Sequence, residues 1–155
     1  MGNAIKLRKI DESNWKEAIN LKVGAEQEEY VASNVYSLAQ YQFLKDFKAM
    51  GIYSEEEDRM IGFAMYGIDP DDGNYWIYRL MVDKGEQGRG FGKLALQLIV
   101  EDIKANNDKD IPCIILGFHP ENHIAKGIYL KGGFVETEMA PWGEQLARLE
   151  LKKMR

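Results

Sequence analysis

Residues Gln87-Gly88-Arg89-Gly90-Phe91-Gly92-Lys93 alternate glycines with bulkier residues, two of them cations, between two apolar runs. Glycines let a ligand approach the main chain. A turn that enters a helix aims several backbone N–H groups one way, at the positive end of the helix dipole. That combination suits a phosphate or pyrophosphate, with Arg89 and Lys93 adding charge. Spacing excludes two familiar phosphate loops. Gly92-Lys93 is followed by Leu94 rather than Ser or Thr, and Ala95 stands where a dinucleotide fingerprint needs its third glycine.

The flanking elements narrow the choice. Residues 75–82 are rich in aromatic and branched side chains, which suit a half-buried strand. Leu94, Leu96, Leu98, Ile99 and Ile103 lie on one face of a helix near 90–106. Elsewhere the chain reads as a compact α/β pattern. Ile5, Leu7 and Lys9-Ile10 predict a first strand, and Asp11 or Ser13 is placed to cap a helix through Trp15, Ala18, Ile19 and Leu21. After an acidic, aromatic link at 26–30, Ser37 is expected to open a second helix carrying Leu38, Tyr41, Phe43, Leu44 and Phe47. Residues 50–55, 60–68 and 75–82 predict three antiparallel strands, the last two joined by the turn Asp69-Pro70-Asp71-Asp72-Gly73-Asn74. A buried strand at 112–118, a helix at 122–131 and strands near 134–139 and 145–151 complete the pattern.

Two stretches in that order carry a family resemblance. Leu80-Met81-Val82, followed by Gln87-x-x-Gly90-x-Gly92, resembles the acetyl-CoA motif of the GCN5-related N-acetyltransferases (GNAT). Further on, Asn122-His123-Ile124-Ala125-Lys126-Gly127-Ile128-Tyr129-Leu130-Lys131-Gly132-Gly133-Phe134 resembles that family's second hallmark. There an Asn opens a helix that carries a Tyr and ends in Gly-Phe. The resemblance implies one α+β domain over residues 1–155. Its mixed, mostly antiparallel sheet would have about seven strands, splayed between strands 4 and 5 and flanked by about four helices.

Composition agrees. At 155 residues, 45% hydrophobic and 29% charged, the chain has the balance of a globular domain with a sizeable core. A formal charge of −5 disfavours a nucleic-acid partner, which selects for a basic face, and suits a cationic small substrate. No apolar run approaches a membrane span, and no secretory leader is expected before the first strand. Cys113, the only cysteine, lies in the apolar run 111–116 and reads as a buried structural thiol, which fits a reducing cytoplasm.

Acetyl transfer from a thioester to an amine needs a neutral amine, support for a tetrahedral oxyanion and a proton for the departing thiolate. The resemblance assigns the backbone at Met81 and Val82 to the pantetheine arm and thioester carbonyl of acetyl-CoA. It assigns Gln87, Gly88, Arg89, Gly90, Phe91, Gly92 and Lys93 to the pyrophosphate, and Asn122 to the cofactor arm. Tyr129 becomes the general acid, since a phenol near pKa 10 suits a thiolate whose conjugate acid lies near about 8.5. No general base stands out. His119 and His123 could each titrate near neutrality, but Pro120 breaks the helix that would align them on a metal, and no metal is expected. Water with a carboxylate, the route of many relatives, is the default.

The acceptor has three acidic clusters to choose from: Glu26/Glu28/Glu29, Glu55/Glu56/Glu57/Asp58 and Asp69/Asp71/Asp72. If strand 75–82 ends at the cofactor, the turn 69–72 lies at its far end, and only the first two clusters are expected to reach a bound amine. Gln27-Glu28-Glu29-Tyr30-Val31-Ala32-Ser33, with Ser37-Leu38 and Gly62-Phe63-Ala64-Met65-Tyr66, resembles the bacterial spermine/spermidine acetyltransferase branch. That implies a polyamine acceptor held by Glu28, Glu29 and Tyr30. Tyr66 and Tyr78 are further aromatic faces or core residues. Animal polyamine acetyltransferases carry an acidic residue on the fourth strand, where this sequence has Tyr78 and Arg79. The rival readings are a GNAT enzyme for peptide N-termini, amino acids or antibiotics, and a non-catalytic acyl-CoA-binding module. Relatives pair as dimers through the region of Trp142, so a homodimer is expected, with Trp142 at its interface ahead of an acceptor pocket.

Overall fold

The computed structural model describes residues 4–151. Strands β1 (Ile5–Lys9), β2 (Phe47–Ser54), β3 (Arg59–Ile68), β4 (Tyr75–Val82), β5 (Cys113–Phe118), β6 (Val135–Met139) and β7 (Gln145–Glu150) form one sheet in the order β1-β2-β3-β4-β5-β7-β6. Every neighbouring pair is antiparallel except β4 and β5. The helices are α1 (Trp15–Ile19), α2 (Asn34–Tyr41), α3 (Phe91–Ala105) and α4 (His123–Lys131). This is the sheet-and-helix architecture expected from the sequence.

Apolar residues on both faces of the central strands explain the layers. Ile61, Ala64 and Tyr66 of β3 join Ile99 and Ile103 of α3 in one buried cluster. Met60, Phe63 and Met65, from the same strand, pack with Ala18 and Leu21 in the other. A strand covered on both sides reads as a continuous apolar run, as residues 60–66 do. Tyr66 is buried in the first cluster, and its hydroxyl donates to Asp102 Oδ2 on α3 at 2.6 Å. Tyr66 is therefore a core residue and not an aromatic face for a ligand. Cys113 is fully buried on β5, and burial pushes its thiol up.

Three local expectations change. Asp11 and Ser13 do not cap α1. Asp11 Oδ1 instead accepts from Ser13 N at 2.8 Å, closing a turn, and Asn14 is the cap residue. Ser37 does not open α2, because Ser33 does so by accepting from Tyr36 N at 3.1 Å. Ser37 is buried within that helix, its hydroxyl donating to the Ser33 carbonyl. Finally, α2 ends at Tyr41, and Phe47 begins β2. There, Phe47 packs its ring 4.4 Å from that of Tyr78.

The site is created by a disagreement between β4 and its two neighbours. Against β5 it pairs only through Tyr75–Ile114, Trp76–Ile115 and Ile77–Leu116. Against β3 it continues, but Arg79 lies opposite Met65 while Ile77 lies opposite Tyr66, so Tyr78 is an extra residue in the register. A bulge bends its strand and re-aims the side chains around it. Beyond it, β4 stays with β3 and parts from β5. Ile99 helps hold α3 to this sheet and is fully buried. Ile99→Ala should cost about 2–5 kcal/mol of stability, seen as a lower urea midpoint with little change in slope.

Candidate active site

Where β4 leaves β5, a cleft of about 340 Å³ opens between the end of β4, the glycine-rich turn and α4. Met81 and Val82 border it from the strand, Gln87, Gly88, Gly90, Phe91, Gly92 and Lys93 from the turn, and Asn122 and Tyr129 from the α4 side. The turn is shaped by two left-handed residues, Gly88 at φ +84° and Gly90 at φ +83°. Gly90 is also the residue that caps α3. A Cβ at Gly88 or Gly90 would meet no atom within 4 Å, so the backbone there is open to a ligand. Gln87 ties the turn to the strand, donating from Nε2 to the Val82 carbonyl at 3.0 Å and to Gln27 Oε1 at 3.1 Å.

Arg89 is the departure from expectation. Its guanidinium donates to Glu86 Oε1 at 2.8 Å and lies 4.9 Å from the centre of the Phe91 ring, so it does not border the cleft. Glu86 is buried and also binds Arg59. Two guanidiniums thus offset one carboxylate at the edge of the glycine-rich turn, and Lys93 is the cation that borders the cleft.

A second cavity, also about 340 Å³, shares Leu80, Met81, Asn122, Ala125 and Tyr129 with the first. Tyr129 is packed beside Phe118 and Phe134, with ring centres 5.8 and 6.2 Å away. Its hydroxyl makes no hydrogen bond to a described residue. Burial pushes the phenol well above its ordinary value, and the negative charge of Glu144 adds to this. Asn122 is buried and caps α4, its Oδ1 accepting from Ala125 N at 3.3 Å. Tyr30 borders the second cavity, stacked on His119 with ring centres 4.4 Å apart.

Neither Glu28 nor Glu29 borders the cleft or the second cavity. The short turn Ala25–Gln27 directs Gln27 inward and leaves Glu28 and Glu29 exposed, with Glu28 on a hollow behind Met81 that adjoins the second cavity at Val31, Ala32 and Asn34. The Glu55–Asp58 cluster also misses the site. Asp58 pairs with Arg8 at 2.9 Å and Lys6 at 3.5 Å, and Glu57 with Arg59 at 2.6 Å. The Asp69–Asp72 turn, expected to be out of reach, borders a groove that shares Tyr36, Tyr78, Arg79, Gly117 and Glu144 with the second cavity. That groove runs over the face of the paired strands, past Trp76, Ile77 and Tyr78, and so joins the turn to the second cavity. His119 and His123 join no metal-ligating cluster: among the described residues no three His, Cys, Asp or Glu side chains form one.

Three residues at the site escaped the sequence reading. Arg79 borders the second cavity with no carboxylate partner among the described residues. It donates to Ser37 Oγ, the Tyr78 carbonyl and Gln40 Oε1, each at 2.9 Å. Burial pulls its guanidinium down from the ordinary value, opposed by Tyr36 and Glu144. Gln27 borders the cleft with its Nε2 buried and without a hydrogen-bond partner. Glu144 reaches the second cavity from the turn before β7. Gln27 opens the acidic segment 27–33, but no short-range pattern marks Arg79 or Glu144 as a site residue.

Residues 10–134 match the acetyltransferase (GNAT) family. The chain belongs to that family. This GNAT protein is an acetyltransferase, and its sequence is similar to two Bacillus subtilis proteins. It is 28% identical to a probable spermine N(1)-acetyltransferase of the natto subspecies over 106 residues, 64% of this chain and 68% of that one. Over the same length it is 27% identical to a spermine/spermidine N(1)-acetyltransferase of strain 168. Among solved structures, spermidine N-acetyltransferase from Vibrio cholerae, in complex with CoA and spermine, superposes with a TM-score of 0.71 at 16% identity, covering 95% of each chain. An aminoglycoside acetyltransferase in complex with coenzyme A and kanamycin gives 0.76 at 18% identity, again over 95% of each chain. Both share the fold.

Replacing Gly90 by Ala would force a side chain into the left-handed region. The substitution should cost about 1–2 kcal/mol, measured by denaturant unfolding, and should weaken CoA binding in a calorimetric titration.

Proposed function

We propose that this acetyltransferase, acting as one domain over residues 1–155, moves the acetyl group of acetyl-CoA to a primary amine, and that the amine belongs to a polyamine such as spermine or spermidine. The observation that carries the reading is the junction of the two cavities at Asn122 and Tyr129. A thioester reaching in from the glycine turn and an amine reaching in from the second cavity would meet there. The turn suits the pyrophosphate in shape and charge, and the buried, unpartnered Gln27 Nε2 offers a donor beside it.

In this mechanism, Gln87, Gly88, Gly90, Phe91, Gly92 and Lys93 hold the pyrophosphate, with Arg89 held back by Glu86. Asn122 and the backbone at Met81 and Val82 hold the pantetheine arm and polarise the thioester carbonyl. Tyr129 gives its proton to sulfur as the C–S bond breaks.

The polyamine assignment draws on the names of the Bacillus relatives and on the groove beyond the second cavity, where Asp69, Asp71, Asp72 and Glu144 mingle with Trp76, Tyr78 and Trp142. Carboxylates and aromatic faces in one groove suit a chain of ammonium groups. Tyr30 remains a ligand in this proposal; Glu28 and Glu29 yield that role to the groove. The unpaired Arg79 favours a second reading, in which the acceptor carries a carboxylate, as an amino acid or peptide does. A homodimer and a cytoplasmic setting belong to the same proposal. No described helix is long and apolar enough to cross a membrane.

Thiol release from acetyl-CoA should saturate with spermine or spermidine and stay low with amino acids and short peptides; the reverse order would transfer the assignment to the Arg79 reading. Tyr129→Phe should bind acetyl-CoA nearly unchanged while kcat falls about 10²-fold. Because the Tyr129 phenol is raised, it stays protonated past about pH 10, so turnover should show no alkaline loss from it below that. The stability gained by keeping it neutral is fully present below about pH 10 and declines above, where the unfolded chain ionises first.

A further inference from the structure

Glu144 borders the cavity through which the proposed acceptor would reach Tyr129. It is the one carboxylate bordering the cavity that meets the cofactor cleft at Tyr129, among the described residues. Its place is built into the sheet. A Cβ added to Gly117 would lie 2.9 Å from Glu144 Oε1 and 3.4 Å from Glu144 Cβ, so the carboxylate fills the space that glycine leaves on β5. From the other side, Trp142 Nε1 donates to the same Oε1 at 2.7 Å. No described residue donates to Oε2. The charge of Glu144 is felt at Tyr129 and at Arg79, the other charged group at this cavity.

We infer that Glu144 is the catalytic base of the acetyl transfer, its Oε2 accepting a hydrogen bond from the acceptor nitrogen and taking its proton as the N–C bond forms. The inference rests on the amine-acetylation reading above. The acceptor attacks as a neutral amine; its lone pair forms the N–C bond while the carbonyl π electrons move to oxygen. Nitrogen is now positively charged and far more acidic than the free ammonium, so the Glu144 carboxylate can remove one proton. The oxyanion re-forms the carbonyl, the C–S bond breaks, and sulfur takes the Tyr129 proton. The proton held by Glu144 returns to the Tyr129 oxygen through water. Amine and thioester have become amide and thiol, with no net change in protons.

The test compares wild type, Glu144→Gln and Glu144→Ala for thiol release from acetyl-CoA across amines of graded basicity, including spermidine. Both variants should bind acetyl-CoA as wild type does and lose about 10²-fold in kcat/KM. Formate should restore the Ala variant in proportion to its concentration, and the deficit should shrink for weakly basic amines. A structural role would produce neither effect. Gly117→Ala, whose Cβ displaces the carboxylate without removing it, should lower kcat in the same direction. Wild-type turnover with Glu144→Gln within about twofold of it would overturn the inference and leave the acetylation reading standing, as would a loss that formate leaves untouched. A wild type inactive on every amine would overturn both.

Discussion

The short parallel pairing of β4 with β5 is the constraint from which the rest of the site follows. Pairing through Ile77–Leu116 and no further leaves a wedge between two strands otherwise held firmly by β3 and β7. A wedge in a sheet normally exposes unpaired backbone, which is costly when buried. Here two carbonyls of β4 accept from side chains, that of Tyr78 from Arg79 and that of Val82 from Gln87. Arg79 and Gln87 thus stabilise the open form of the sheet and border what it opens onto. The extra residue at Tyr78 shifts the register by one and lets β4 bend there while staying paired with β3 on either side.

Electrostatics divides the wedge into two ends of different charge. At the glycine-turn end, Glu86 is offset by Arg59 and Arg89, which leaves Lys93 as the cation bordering the cleft. At the other end, Glu144 and the Asp69–Asp72 turn make the groove acidic. Tyr129 lies between, kept neutral by burial and by the nearby carboxylate. In the proposed transfer, a neutral phenol is suited to giving a proton to the departing sulfur, whereas an ionised one would repel its charge.

What the sequence made legible was backbone geometry set at fixed offsets. Gly88 and Gly90 adopt the left-handed conformations that make glycine necessary, and Asn122 and Tyr129 share one short helix whose cap fixes their relation. The strands were equally readable, since apolar runs and turn residues are local. The acceptor side was not. Glu28 and Glu29 looked like ligands because a patterned acidic segment says nothing about which way a short turn faces, and Gln27 took the inward position instead. Ser37 looked like a cap by its residue type, yet its role is to receive Arg79 from a strand forty-two positions away. Arg89 sat at a phosphate-binding offset, but Glu86 competes for it three residues before. Each of these depends on a partner that only the folded chain supplies.

Glu144 carries that reasoning to its end. It lies in a turn whose sequence, Pro141-Trp142-Gly143-Glu144, reads as surface, and nothing local connects it with Tyr129. What connects them is a residue with no chemistry of its own. Gly117 stands on β5 at the mouth of the wedge, where any side chain would occupy the space taken by the carboxylate. A glycine inside a strand weakens it and is therefore informative when present. Here it trades strand stability for a carboxylate on the splayed side of the sheet. The antiparallel pairing of β5 with β7, Gly117 opposite Leu146, brings the preceding turn to that point. The same sheet that opens the cofactor cleft therefore also delivers, from its far hairpin, the group that can receive a proton within it.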